Sequence, residues 1–98
     1  DGAALWRTEE IYVTDAAPGT DISVPTQGAP VRVKVPSGTQ PGAQLRLRAK
    51  GLPRFGGRGQ GDLYVRIAIR MPEKLTKTER DLWQEIHVLR SGREGSRR

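Results

Sequence analysis

The amino-acid sequence reads VRVKVPSGTQPGAQLRLRAK over residues 31–50, and this segment holds two alternating runs joined by a turn. In each run apolar residues alternate with mostly cationic ones, which is the period that a β-strand imposes on its two faces. Residues 36–42 between the runs contain two prolines, which fix φ, and two glycines, which tolerate positive φ. The segment therefore predicts two neighbouring strands, each with one buried and one solvated face, as in an antiparallel sheet.

The same alternation occurs in three other parts of the chain. It is long at residues 63–70 and shorter at residues 11–13 and 22–24. Turn-forming residues separate the runs, with a bend at residues 15–19 and a glycine-rich connection at residues 51–61. We therefore expect a mainly β fold, a small two-sheet antiparallel β-sandwich of five to six strands.

Near the C-terminus the period changes from that of a strand to that of a helix. Thr76 is a suitable N-cap, and Glu79, three residues later, completes a capping box. The pattern predicts one amphipathic helix over residues 76–89, ended by Gly92 and followed by a disordered basic tail over residues 91–98. The apolar stripe of this helix comprises Leu82, Trp83, Ile86 and Leu89.

Length and composition limit the classes of function. With 98 residues the chain has room for one domain, which we place at residues 8–90 after a short extension over residues 1–7. The chain contains no cysteine, so disulfides, zinc ribbons and thiol catalysis are excluded. No apolar run is long enough to span a membrane, and no secretory signal is visible. Because the chain starts at Asp1 without a methionine, we expect it to be part of a longer protein.

The charge distribution points to a basic surface. The chain carries a formal net charge of +6 from 17 basic and 11 acidic side chains. Residues 46–58 contain five of the cations and no acid, which makes this stretch a candidate basic face. Such a face is typical of proteins that meet nucleic acid or other acidic partners, and a solvated strand face has the same composition. Its cations are Arg46, Arg48, Lys50, Arg54 and Arg58.

Residue types that carry out catalysis lack the neighbours that catalysis needs. The single histidine, His87, lies within the predicted helix, and no carboxylate is spaced from it as in a proton relay. The carboxylates do not have metal-ligand spacing, and Asp62, at the start of a strand, is expected to close a turn by a hydrogen bond. The sequence therefore predicts a non-catalytic domain with no metal and no cofactor.

Three motifs follow one another in the chain: VRVKVPSGTQPG at residues 31–42, LRLRAKGLP at residues 45–53 and GDLYV at residues 61–65. In this order and spacing they resemble the C-terminal substrate-binding region of DnaJ-type co-chaperones, the J-domain protein family. That region has two similar β-domains, and MPEKL at residues 71–75, before a helix, is similar to the end of the second one. The chain thus resembles the second C-terminal β-domain over about residues 8–90.

The sequence departs from the family in three respects. It has no His-Pro-Asp triplet, so the resemblance does not include stimulation of the ATPase of a DnaK-type chaperone by the J-domain. It has no cysteine-rich zinc repeats, which lie in another region of the family's chain. Pro18 stands in the bend where the family has a short helical turn, so we expect that turn to be shortened.

The resemblance implies a module of a cytoplasmic stress-response co-chaperone, which works with a DnaK-type chaperone and binds unfolded or partly folded polypeptides. It also implies a homodimer of the parent protein, with the apolar stripe of the helix as the dimer contact. Two alternatives remain open, since the stripe could pack on its own sheet, and Leu45 and Leu47 could belong to the core. The client-binding candidates are Leu45, Leu47, Leu52 and Phe55.

A competing hypothesis is a basic β-domain that binds nucleic acid through the face at residues 46–58. The two hypotheses differ in their response to salt. Binding to phosphates weakens steeply as salt rises, whereas capture of apolar segments persists. A membrane partner is not expected under either hypothesis.

Overall fold

The computed structural model describes residues 2–54, 56 and 59–94, and it confirms the mainly β fold class. Within these residues, five strands form two sheets and one long helix follows them. A four-residue helical turn, α1 (Val13–Ala16), lies at the predicted bend. The other elements are β1 (Leu5–Tyr12), β2 (Thr20–Val24), β3 (Val31–Val35), β4 (Gln44–Leu47), β5 (Leu63–Arg70) and α2 (Lys77–Glu94).

The larger sheet has the strand order β1-β5-β4, and the smaller sheet consists of β2 and β3. The pairs β4-β5 and β2-β3 are antiparallel, as the sequence predicts. β1 instead runs parallel to β5, with Leu5 opposite Leu63 and Tyr12 opposite Arg70, so the expectation of a wholly antiparallel sandwich is wrong at this edge. Parallel neighbours need a long crossover, and here the chain passes through the smaller sheet and β4 before it reaches β5. Alternation of apolar and polar residues is the same in both arrangements and does not distinguish them.

One hydrophobic core joins the two sheets. Val24 and Val35 from the smaller sheet are fully buried, and so are Val65 and Ile67 from β5. These side chains are the inward-facing members of the alternating runs, which is why the period of two located them. The buried cluster as a whole comprises Ile11, Ala16, Val24, Val35, Leu63, Val65 and Ile67.

Three strand boundaries differ from the sequence prediction. β1 begins at Leu5, inside the predicted extension over residues 1–7. β4 ends at Leu47, and Ala49, with a φ of 60°, is in the left-handed region that a strand does not use. Val13 belongs to α1 rather than to β1. Alternation therefore located each strand, whereas the backbone conformation at its ends decided its length.

The capping box at the start of α2 is confirmed. The backbone N–H of Glu79 donates to Thr76 Oγ1 at 3.1 Å, and the backbone N–H of Thr76 donates to Glu79 Oε1 at 2.7 Å. The predicted end at Gly92 is wrong, because α2 continues to Glu94. Gly92 does not have the positive φ that a glycine C-cap requires, so it extends the helix. The remainder of the predicted disordered tail, residues 95–98, lies outside the described residues.

Helix α2 stands apart from the sheets. It makes no extensive contact with any other element in the described part of the chain, and this part measures 57 × 30 × 18 Å. Leu82 is 55% exposed and Leu89 is 70% exposed. The alternative in which the apolar stripe packs on its own sheet is therefore wrong for these residues, and only Trp83 of the stripe is partly buried.

Candidate functional site

A charged turn connects β4 to β5. Asp62 Oδ2 accepts a hydrogen bond from Arg46 Nε at 2.6 Å, and Asp62 Oδ1 accepts one from the backbone N–H of Ala49 at 3.0 Å. The predicted turn-closing role of Asp62 is thereby confirmed. The Ala49 hydrogen bond, followed by the Arg46 hydrogen bond, lowers the pKa of the Asp62 carboxyl from its ordinary value. The ionised carboxylate thus fixes the backbone immediately before Lys50.

Two glycines allow this turn to pack against the N-terminal segment. A Cβ at Gly51 would lie 2.5 Å from the carbonyl oxygen of Asp62, and a Cβ at Gly61 would lie 2.5 Å from the carbonyl oxygen of Ala3. The backbone N–H of Gly51 donates to the Gly61 carbonyl at 2.8 Å, and that of Leu52 donates to the Ala3 carbonyl at 2.8 Å. Residues 49–52 and 61–62 form one tightly packed unit, which we call the glycine turn.

A shallow depression of about 230 Å³ opens beside the glycine turn. Leu5 and Trp6 from β1 line it together with Leu63 from β5 and Pro25, which follows β2. Lys50 also lines it, as the residue that precedes Gly51. We call this depression the apolar groove. It adjoins β1, an edge strand whose outer backbone groups are not paired with another strand among the described residues.

A second depression, of about 260 Å³, lies beside the apolar groove and is lined mainly by polar residues. The two depressions share Thr26, Gln27 and Lys50, so they are adjacent. Gly28 and Gln60 complete the lining of the second depression, which we call the polar groove. Lys50 thus stands where an apolar surface meets a polar one.

Trp6 is the most prominent aromatic side chain of this surface. Its side chain is 62% exposed, and its ring stacks on that of Tyr64 with centroids 4.6 Å apart and planes 19° apart. Trp6 and Tyr64 are cross-strand partners in β1 and β5, and Arg46 of β4 is opposite Tyr64. The stack holds a large aromatic ring in place at the apolar groove, which reduces the entropy that a ligand contact would otherwise cost.

The predicted client-binding residues are only partly at the surface. Leu45 and Leu47 are half-buried and pack against the core cluster, so the alternative that assigns them to the core agrees with the structure. Leu52 is 36% exposed, and its backbone belongs to the glycine turn. Phe55 lies outside the described residues. None of the three described candidates lines the apolar or the polar groove.

The described residues of the predicted basic face have different polar contacts. Arg46 is bound to Asp62, and Arg54 Nε donates to the backbone carbonyl of Gln60 at 3.4 Å. Arg48 is exposed, and Arg58 lies outside the described residues. Of the four members that the structure describes, only Lys50 lines either of the two grooves.

The residues of β1 that line the apolar groove are not among the predicted site residues. Arg7 and Glu9 occupy inward-facing positions next to Leu5 and Ile11, and they interrupt the apolar alternation that would have marked the strand. The two charged side chains form an ion pair with each other, which makes these positions tolerable. The exposed Trp6 was the available signal, since an exposed tryptophan is typical of a contact surface.

Metal sites and membrane-spanning helices are absent from the described residues. No group of histidine, aspartate and glutamate side chains there could hold a metal ion. No helix in the same part of the chain is long and apolar enough to cross a membrane.

These features define a small two-sheet β-domain with an open surface groove and an exposed terminal helix. The family model of the DnaJ C terminal domain matches residues 1–72. Chaperone protein DnaJ of Agrobacterium fabrum is 48% identical over 92 residues, which are 93% of this chain and 24% of that protein. Chaperone protein DnaJ of Shouchella clausii is 39% identical over 93 residues, which are 95% of this chain and 25% of that protein.

The chain therefore belongs to the DnaJ C-terminal domain family, and the resemblance of the three motifs is confirmed. It spans about a quarter of the length of the curated relatives that it matches. The structure explains two of the motifs, because the Lys-Gly and Gly-Asp pairs meet in the glycine turn and place Lys50 at the groove.

Proposed function

We propose that this domain binds client polypeptides and contributes to dimerisation in a non-catalytic, DnaJ-type co-chaperone. The parent protein would be cytoplasmic and would deliver clients to a DnaK-type chaperone. The observation that carries client binding is the apolar groove, in which the exposed Trp6 lies beside Leu5, Pro25 and Leu63 at the edge strand β1.

Client binding at this site requires no covalent chemistry. An extended segment of an unfolded chain can pair its backbone with the outer edge of β1, since β1 has β5 on one side only among the described strands. An apolar client side chain would then enter the groove next to Trp6 and lose its contact with water. Backbone pairing is indifferent to client sequence, and the groove adds a preference for apolar residues.

Dimerisation is supported by the exposed apolar side chains of α2. Leu82, Ile86 and Leu89 follow helical spacing and are each exposed by 45% or more. A soluble helix with such a stripe is normally covered by a partner. A contact between two copies of α2 would therefore bury apolar side chains that are exposed to solvent in the described fold. One helix from each copy would bury little area, so we expect a weak dimer.

Sedimentation velocity over a concentration series tests the dimer. We expect reversible dimerisation of the whole chain, and we expect Leu82→Glu combined with Leu89→Glu to abolish it. Gln84→Glu is the matched control, because it adds a charge to an exposed position outside the stripe. Dimerisation that survives the double substitution would contradict the proposal for α2, as would a strict monomer at every concentration.

Suppression of aggregation tests client binding. We expect the chain to slow the aggregation of a chemically unfolded reporter protein, and to retain most of this effect in high salt. Trp6→Ala should weaken this effect. Failure to slow aggregation, or an effect that disappears when salt rises and is replaced by binding to an oligonucleotide, would favour the nucleic-acid hypothesis instead.

A further inference from the structure

We propose that the groove selects client segments in which an apolar residue is accompanied by a nearby carboxylate. This inference rests on the proposed client-binding function and adds the chemical class of the preferred segment. It follows from the charges that line the two adjacent depressions, the apolar groove and the polar groove.

The charge inventory of the site is one-sided. Lys50 lines both grooves, and none of the described aspartates and glutamates lines either of them. Among the described residues, Arg7 is the other charged residue of the apolar groove, and its charge is compensated because it pairs with Glu9. Lys50 forms no ion pair with any described carboxylate, so its charge is available to a ligand.

The position of Lys50 is fixed by its neighbours. Ala49 on one side donates its backbone N–H to Asp62, and Gly51 on the other side donates to the Gly61 carbonyl. The backbone on both sides of Lys50 is thus hydrogen-bonded, and its side chain is exposed. Arg48, two residues earlier, is also exposed and forms no ion pair among the described residues, but it lines neither groove.

The apolar and cationic parts together define the ligand. Leu5, Trp6 and Pro25 offer a surface for an apolar side chain, and Lys50 marks the transition to the polar groove. A client carboxylate close to the apolar residue would meet the ammonium group of Lys50, whereas a client lysine or arginine there would be repelled. The same segment with acidic flanks should therefore bind better than it does with basic flanks.

Three peptides with one apolar core test this inference. Their flanking residues are glutamates, glutamines or lysines. The whole chain carrying Trp83→Phe retains Trp6 as its only tryptophan, so its fluorescence reports on the apolar groove. We expect the glutamate peptide to bind about two- to fivefold more tightly than the glutamine peptide at low salt, as an exposed ion pair allows. The lysine peptide should bind more weakly than either.

Variants of Lys50 assign the preference to this side chain. Lys50→Ala should remove the difference between the glutamate and glutamine peptides, and Lys50→Glu should reverse the order of the glutamate and lysine peptides. Both variants should fold, since Lys50 is exposed. Lys77→Ala is the control, because it removes a lysine from α2 and should leave the order of the three peptides unchanged.

The outcomes separate the inference from the function on which it rests. Equal affinity for the three peptides would overturn the selectivity and leave client binding in place. Absence of binding by all three would overturn client binding at this groove. A selectivity that persists in Lys50→Glu, or a glutamate peptide displaced by an equal concentration of an oligonucleotide, would overturn the assignment of Lys50 to client carboxylates.

Discussion

The carboxylate of Asp62 accepts the backbone N–H of Ala49 at 3.0 Å and thereby connects the end of β4 to the start of β5. Ala49 has a φ of 60°, a conformation that costs free energy in a residue other than glycine. The hydrogen bond from Ala49 to Asp62 offsets part of this cost. The same carboxylate accepts a hydrogen bond from Arg46 Nε at 2.6 Å, and this second contact links β4 to the start of β5. The consequence is a turn whose stability depends on the ionisation of one side chain.

The first prediction concerns the stability of the fold at acidic pH. The pKa of Asp62 is lowered in the folded chain, so the carboxylate stabilises the fold at pH values above its unfolded pKa of about 3.9. This stabilisation is lost as the pH falls through the lower folded pKa. Asp62→Asn should therefore lower the urea midpoint at neutral pH and flatten its decline below about pH 4. Urea denaturation at a series of pH values measures both effects.

Asp81→Asn is the matched control for this prediction. Asp81 pairs with Lys77 at 3.1 Å on the exposed surface of α2, and such a pair contributes only about 0.3–0.5 kcal/mol. This variant should keep the acid dependence of the unchanged chain. An equally steep decline in Asp62→Asn and in the unchanged chain would show that other groups govern acid unfolding.

The second prediction concerns the close approach at Gly51. A Cβ there would lie 2.5 Å and 2.6 Å from two backbone carbonyl oxygens, which cannot move aside as a flexible side chain can. Gly51→Ala should lower the free energy of unfolding by about 1–3 kcal/mol. It should also displace Lys50 and weaken the binding of a glutamate-flanked peptide. Equilibrium denaturation and peptide titration measure the two effects.

Gly92→Ala supplies the comparison for Gly51. A Cβ at Gly92 has no neighbour within 4 Å, and the residue lies inside α2. Since alanine is the better helix former by about 1 kcal/mol, this variant should not lose stability. A neutral Gly51→Ala would mean that the glycine turn is looser than the structure indicates.

The sequence predicted the strands and the family more completely than it predicted the surfaces. Alternation located Val65 and Ile67 because every second residue of a strand with one buried face is apolar. The parallel pairing of β1 produces no sequence pattern of its own. The charged pair Arg7 and Glu9 also interrupts the apolar alternation on the inward face of this strand. The apolar groove is built from segments that are far apart in the chain, so no local sequence pattern predicts it.

The surroundings of α2 also could not be predicted from the sequence. Its apolar stripe was visible in the sequence, but helical spacing does not say whether a stripe meets its own sheet or solvent. The structure answers this for Leu82 and Leu89, which are exposed. The partner of the stripe remains a proposal that sedimentation can decide.

The third prediction separates the core from the helix stripe. Ile67 is fully buried between the two sheets, and Ile67→Ala should lower the free energy of unfolding by about 2–5 kcal/mol. Leu89 is 70% exposed, and Leu89→Ala should change it by less than about 0.5 kcal/mol in the monomer. Urea denaturation at a concentration where sedimentation shows only monomer makes the comparison. A loss at Leu89 as large as that at Ile67 would place the stripe against its own domain.

The fourth prediction assigns client affinity to Trp6. The stack on Tyr64 holds the exposed ring at the apolar groove, so Trp6→Ala removes both the contact area and the ordered ring. We expect the variant to bind an apolar peptide about tenfold more weakly, as truncation of an aromatic contact residue commonly does. Fluorescence anisotropy of a labelled peptide measures this without relying on the tryptophan signal.

Tyr12→Ala is the matched control for Trp6→Ala. Tyr12 is an aromatic residue on the same face of the same strand and is 50% exposed, but it does not line the apolar groove. Its removal should leave peptide affinity within about twofold of the unchanged chain. An equal loss in both variants would mean that the outer face of β1 as a whole binds the peptide. No loss in either would move client binding away from this strand.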